Sequence, residues 1–207
     1  MKTVWLVSEG LFHPPLDGRL ALGQTLKRSG AFQVFQCRRL EQLPVDLSGV
    51  AAVVLYLHRQ QAEDTALRRL LDYVARGGGV LGVHSATASF KTRPAYFELL
   101  GGRFIGHGRV QPLQFRPLRE DLFGGMAAFS VRDELYHHEF QPNVEVHWLA
   151  SAEGEEAPAV WTYRYAAGRV CYLLPGHLGS SLRHPAVREI IRRGLNWVVS
   201  PAEENPS

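Results

Sequence analysis

The sequence predicts an α/β protein with a mostly parallel central sheet and helices on both faces. Two observations lead there. Short apolar runs at residues 3–7, 32–36, 50–57 and 80–83 alternate with stretches of helical periodicity, the pattern of strands joined by right-handed crossovers. The third and fourth runs are apolar almost without interruption, as strands covered on both faces require. Together they imply a flavodoxin-like three-layer sandwich with some antiparallel extension.

The elements follow in order. Residues 3–7 read as the first strand, and residues 18–29 as a helix capped by Asp17 and stopped by Gly30. Residues 32–36 and 50–57 are the next strands. Between 63 and 76, Leu67, Leu70, Leu71 and Val74 recur at helical spacing while Arg68, Arg69, Asp72 and Arg76 face water. The glycine triplet 77–79 stops that helix, and residues 80–83 form the fourth strand. Pro94 opens a short helix that closes at Gly101-Gly102, and residues 111–116 read as a strand. After an irregular stretch, residues 144–150, 159–163 and 169–174 give three more strands, the last two joined by a turn at Ala167-Gly168. A final helix begins near Pro185, buries Val187, Ile190, Ile191, Leu195 and Val198, and ends before Pro201. We expect one domain over residues 1–200 and a mobile tail over 201–207.

Composition narrows the function. A hydrophobic share of 45% and a charged share of 21% are those of an ordinary globular protein. The apolar runs are too short to span a bilayer and the first is cut off by Ser8 and Glu9, so neither a membrane span nor a signal peptide is expected, and the location reads as cytoplasmic. The net charge of +3 comes from scattered arginines interleaved with acids, which argues against a nucleic-acid partner. The two cysteines, Cys37 and Cys171, sit in strand-like surroundings and are expected to be buried, inert thiols.

The segment Gly82-Val83-His84-Ser85-Ala86 carries the strongest functional signal. It has the shape of a nucleophile elbow, a sharp strand-to-helix turn, with a histidine where serine or cysteine normally stands. An incidental histidine at a tight turn would read the same way. The other histidines weigh against that reading, because ligands of parallel sheets bind beyond the carboxyl ends of the strands. His13, His58, His84 and His177 each follow a predicted strand, and imidazole is both a common general base and the commonest metal ligand. His137, His138, His147 and His184 lack that placement.

These residues resemble the ThuA-like family, named for trehalose utilisation, within the class I glutamine amidotransferase-like superfamily. The landmarks are the Gly-x-His-Ser-Ala elbow, Leu100-Gly101-Gly102-Arg103-Phe104 followed by His107, Asp133-Glu134-Leu135-Tyr136, Pro158-Ala159-Val160-Trp161, Gly168 to Tyr172 leading to Gly176-His177, and Asn196-Trp197. The chain departs from the family pattern at His107-Gly108, where His-Pro is usual. The superfamily's amidotransferases carry a cysteine at the elbow and a downstream His-x-Glu. Here the elbow is His84 and Gly179 follows His177 by two positions, so a glutaminase is not expected. Ser85 as a nucleophile activated by His177 is also disfavoured, since it stands one residue off the elbow.

The resemblance implies carbohydrate metabolism, with keto-sugar derivatives of trehalose or related disaccharides as substrates. A cleft with His84, His177, Glu134 and Tyr136 as catalytic groups and His13, His58, Ser85 and His107 binding substrate would serve isomerase, lyase or hydrolase chemistry. His84, His107 and His177 would hold a divalent, zinc-like metal if one takes part. Trp5, Trp148, Trp161 and Trp197 are candidates to stack on sugar rings, although their placement favours the core. The alternative is a non-catalytic sugar-binding or assembly module on the same fold. A small carbohydrate is the expected ligand, and a homodimer the default assembly for a chain of this size.

Overall fold

The computed structural model describes residues 1–9, 16–28 and 30–200. His13 and the tail 201–207 lie outside the described residues, so the expectations placed on them are not addressed by the structure.

The chain forms a nine-stranded sheet in the order β2-β1-β3-β4-β9-β8-β7-β5-β6. β1 (Lys2–Val7), β2 (Phe32–Cys37), β3 (Val50–Leu55), β4 (Gly79–Val83) and β9 (Gly168–Leu173) run parallel. Alternate residues of these strands enter two cores. Val4, Leu6, Ala52 and Val54 face one cluster with Leu22, Leu26, Ile190 and Leu195, from α1 (Leu16–Arg28) and α5 (Pro185–Val198). Val7, Val53 and Leu55 face the other with Leu67, Leu70, Val74 and Leu99, from α2 (Asp64–Ala75) and α3 (Pro94–Leu100). This half of the molecule has the expected three layers.

The other half corrects the expectation of a mostly parallel sheet. β5 (Gly102–Pro117), β6 (Phe129–Phe140), β7 (Glu145–Ala152) and β8 (Glu155–Tyr165) pair antiparallel with one another, and β8 pairs antiparallel with β9. These strands, up to 16 residues long, form a wing about as prominent as the parallel half, so the sheet is mixed. Residues 129–140, taken from the sequence as irregular, are a strand. Their charges, together with Gly106, Gly108 and Pro112 in β5, are residues depleted from strands, and they hid the pairing. β5 accommodates them with two register shifts, near Phe104/Gly106 and His107/Val110.

Local chemistry explains the joints around the site. Gly77 takes φ +105 after α2, a conformation that releases the chain into β4. β4 then ends at a 3₁₀ turn, His84–Ala88, whose first residue His84 adopts φ 45. That is the left-handed region, where non-glycine residues carry strain and often mark function. β4 and β9 are parallel neighbours, so the chain leaving β9 reaches His177 beside His84. A five-residue helix, α4 (Gly179–Arg183), follows at once. No helix of the described residues is long and apolar enough to cross a membrane.

Candidate functional site

The site lies where the antiparallel wing meets the carboxyl ends of β4 and β9. His84 is fully buried, and its Nδ1 lies 2.9 Å from the carbonyl oxygen of Leu174. A carbonyl only accepts, so Nδ1 carries the proton and Nε2 presents its lone pair. That Nε2 stands 3.6 Å from Oε2 of Glu134, on β6. Nδ1 of His177 approaches the same Oε2 at 3.1 Å, and Nδ1 of His107 lies 3.5 Å from Oε1. Three imidazoles thus converge on one carboxylate.

Rings enclose it. Tyr136 packs on His84 with ring centroids 4.3 Å apart, and Phe104 packs on Tyr136 at 4.5 Å. The ring of His177 stands 5.5 Å from that of His84 in edge contact. Exposure is graded, from 0% for the His84 side chain through 10% for Glu134 and 23% for His177 to 43% for His107. A ligand entering from solvent therefore meets His107, His177 and Glu134 before His84.

The electrostatics follow from this packing. Burial works to raise the Glu134 pKa, but the imidazoles beside it, His177 before His84, overcome that cost, and the carboxyl is held well below its ordinary range. The hydrogen bond to Glu134 raises the His177 pKa against the opposing cost of burial. Burial, then the neighbouring Tyr172 and carboxylates, raises that of Tyr136, which stays a phenol and hence a donor. Glu134 therefore favours the protonated form of His177 and His177 the ionised form of Glu134, with a hydroxyl donor beside them.

A second set of groups fixes the strained elbow. The Tyr172 hydroxyl donates to the His84 carbonyl at 2.8 Å, and the Thr87 hydroxyl to the same oxygen at 3.3 Å. Oγ1 of Thr87 also meets Nε2 of His138 at 3.0 Å. Burial pushes the His138 pKa down to about 3, so this imidazole is neutral and serves the scaffold. Gly176 is forced by contact: a Cβ there would stand 2.8 Å from the Cβ of His84.

Of the residues named from sequence, the structure brings His84, His107, Glu134, Tyr136 and His177 together. His58 is exposed on the segment after β3, outside the group gathered on Glu134. Ser85 is fully buried and its Oγ has no hydrogen-bond partner among the described residues, so as placed it does not open toward a ligand. The expected metal set also changes. Ligand atoms of His84, Glu134 and His177 lie within 4.8 Å of one another, with Glu134 in the place given to His107. Nδ1 of His107 instead lies 2.7 Å from the Gly108 carbonyl. Trp148 and Trp161 are fully buried core residues, and the rings lining the site are Phe104 and Tyr136. Cys171 is buried, which pushes its thiol up to about 12, whereas Cys37 is only half-buried, with burial raising it to about 11. Asp133 and Tyr172, quoted from sequence only as landmarks, and Thr87 had no role assigned to them. Asp133 had a signal, since it immediately precedes Glu134.

A family model described as trehalose utilisation, ThuA, matches residues 3–198. The chain belongs to the ThuA family. Among solved structures it resembles a ThuA-like protein from Parabacteroides merdae, at 20% identity and a TM-score of 0.85, covering 99% of this chain and 93% of that one. A ThuA-like protein from Bacteroides uniformis is similar at 17% identity and a TM-score of 0.82, covering 96% and 91%. A β-galactosidase from Rahnella sp. R3 contains the same fold at 12% identity and a TM-score of 0.66, covering 97% of this chain but only 32% of that one. At these identities the likeness is one of fold. No curated protein matches this ThuA-family chain.

Proposed function

We propose that this ThuA-family protein is an enzyme of carbohydrate metabolism acting on a keto-sugar, derived from trehalose or a related disaccharide, at the His84–Glu134–His177 group. One observation carries the reading: two imidazoles converge on a largely buried carboxylate, with ligand atoms within 4.8 Å of one another. Fold scaffolding does not require such a cluster, whereas proton transfer next to a carbonyl requires a base, an acid and a donor in one place. Glu134, ionised and partly open, takes the proton from the carbon beside the carbonyl. The His177 imidazolium returns a proton, and Tyr136 donates a hydrogen bond to the carbonyl oxygen as charge gathers there. His84 backs Glu134 from the buried side, and His107 contacts the sugar at the rim. His58 is proposed as an outer contact, and His13 is proposed to bind substrate. We place the protein in the cytoplasm as a homodimer, with a small carbohydrate and neither nucleic acid nor membrane as its partner.

The same group fits a divalent, zinc-like ion. Nε2 of His84 presents its lone pair toward Glu134, and two imidazoles with a carboxylate are a common zinc donor set. His84, Glu134 and His177 would hold the ion, which supplies a Lewis acid for a carbonyl oxygen. His177 would release its Nδ1 proton to solvent before that nitrogen could hold the ion, so affinity should tighten as pH rises.

The deciding experiment offers a 3-keto-disaccharide to the purified protein, with and without added Zn²⁺ and after treatment with a chelator. Turnover supports the enzyme. Loss of turnover on chelation and its return with Zn²⁺ supports the metal, and chelator-insensitive turnover removes the metal alone. Sugar binding without turnover, unchanged by replacement of Glu134, would make the protein a binding module.

A further inference from the structure

Asp133 is a carboxylate placed entirely in the interior. Burying such a group costs several kcal/mol unless it is paired and hydrogen-bonded. Its partners are specific. Oδ2 accepts the backbone N–H of Gly176 at 2.9 Å and that of His177 at 3.3 Å, and Oδ1 accepts the N–H of Glu134 at 3.0 Å. Oδ1 also lies 3.6 Å from Nδ1 of His84. One carboxylate therefore touches all three members of the donor group. Consecutive residues of a strand point to opposite sides, so β6 holds the backbone of the His177 turn with Asp133 and the His177 ring with Glu134.

We propose that Asp133 is the positioning residue of this site: it fixes the His177 turn to β6 and sets negative charge on the Nδ1–H side of His84, so that both imidazoles keep facing Glu134. The inference rests on reading His84, Glu134 and His177 as the functional group. It adds to that reading, because neither the acid–base roles nor the ligand set includes Asp133. Imidazoles that bind metals are oriented in the same manner, by a carboxylate or carbonyl on the second ring nitrogen. Losing such a partner typically costs 10–100-fold in metal affinity or activity.

The test uses the full chain with Asp133→Asn, of nearly the same shape but neutral, and Asp133→Ala, with Co²⁺ as the probe. Folded Asp133→Asn should bind Co²⁺ roughly 10–100-fold more weakly than the unmodified protein. In Asp133→Ala, formate should restore binding and the neutral isostere formamide should not. A loss under about threefold, or equal rescue by both additives, would overturn the proposal, because space-filling alone would then suffice. If the unmodified protein binds no Co²⁺, the metal part of the proposed function falls by itself, and the ¹⁵N-histidine spectrum of metal-free protein decides. A single His84 form protonated on Nδ1, giving way to exchanging forms in Asp133→Asn, supports the role. A His84 protonated on Nε2 in the unmodified protein, which needs no variant to fold, overturns it, and so does a spectrum that Asp133→Asn leaves unchanged.

Discussion

Replacing His84 tests the site most directly, provided the substitution separates chemistry from folding. From sequence alone His84→Ala would be expected to lower turnover and leave the melting temperature nearly intact. The structure changes that expectation, since His84 is fully buried, packed on Tyr136, and donates to the Leu174 carbonyl. Removing the ring should cost about 3 kcal/mol in packing and cavity, and the lost hydrogen bond about 1 kcal/mol more. At roughly 2–4 °C per kcal/mol for a domain of this size, His84→Ala should melt about 8–16 °C lower.

His84→Asn is the better probe. Asparagine tolerates the left-handed backbone that His84 occupies at φ 45. Its amide nitrogen stands near the place of Nδ1 and can still donate to Leu174, while the atom corresponding to Nε2 is gone. We expect it to keep about half of the lost stability, a deficit of about 2 kcal/mol. Consumption of a 3-keto-disaccharide, followed by chromatography well below the melting temperature, should fall by about two to four orders of magnitude, the usual scale for one acid–base group, here Glu134 deprived of the imidazole that backs it. A folded His84→Asn protein with unmodified turnover would refute the reasoning, because Nε2 would then have no part in the reaction.

Three further outcomes are expected. The Glu134–His177 pair should make stability pH-dependent in a window set by both partners. His177, raised from 6.5, contributes fully below that value and loses its contribution as pH rises through its folded pKa, while Glu134, lowered from 4.5, contributes above that value and loses its share as pH falls through its own. The difference in melting temperature between the unmodified protein and Glu134→Gln should therefore be largest between 4.5 and 6.5 and shrink at alkaline pH, and a difference constant across pH would count against the ion pair. Gly176→Ala must push the His84 Cβ or the Val83 Cγ1, at 2.8 and 3.0 Å from the new methyl, so calorimetry should show a loss of about 1–3 kcal/mol, with turnover reduced as the elbow shifts. Cys171→Ser should cost stability by burying a hydroxyl against Gly194 but leave turnover in place; inactivity of a folded variant would revive thiol chemistry.

How much could be read in advance depended on where the chemistry and the fold pulled the same way. At β3 and β4 they did, because strands covered on both faces must be apolar, and the runs at Val53–Leu55 and Val80–Val83 say so without ambiguity. The elbow was legible for the same reason, since a buried strand that ends in Gly-Val-His-Ser must turn sharply. β6 was not legible. It is the edge strand of the wing and the strand that supplies Asp133, Glu134 and Tyr136, and the charges that build the site are those that erase a strand's alternation. Its conformation is dictated by partners distant in sequence: β5, whose register shifts sit beside His107, and the turn at Gly176 and His177, whose backbone N–H groups donate to Asp133 once the chain is folded. The segment that local pattern described worst is thus the one that carries the carboxylates of the site. Function placed acids where strand propensity would have placed valines, and the cost is offset by backbone donors and imidazoles that no local window of sequence contains.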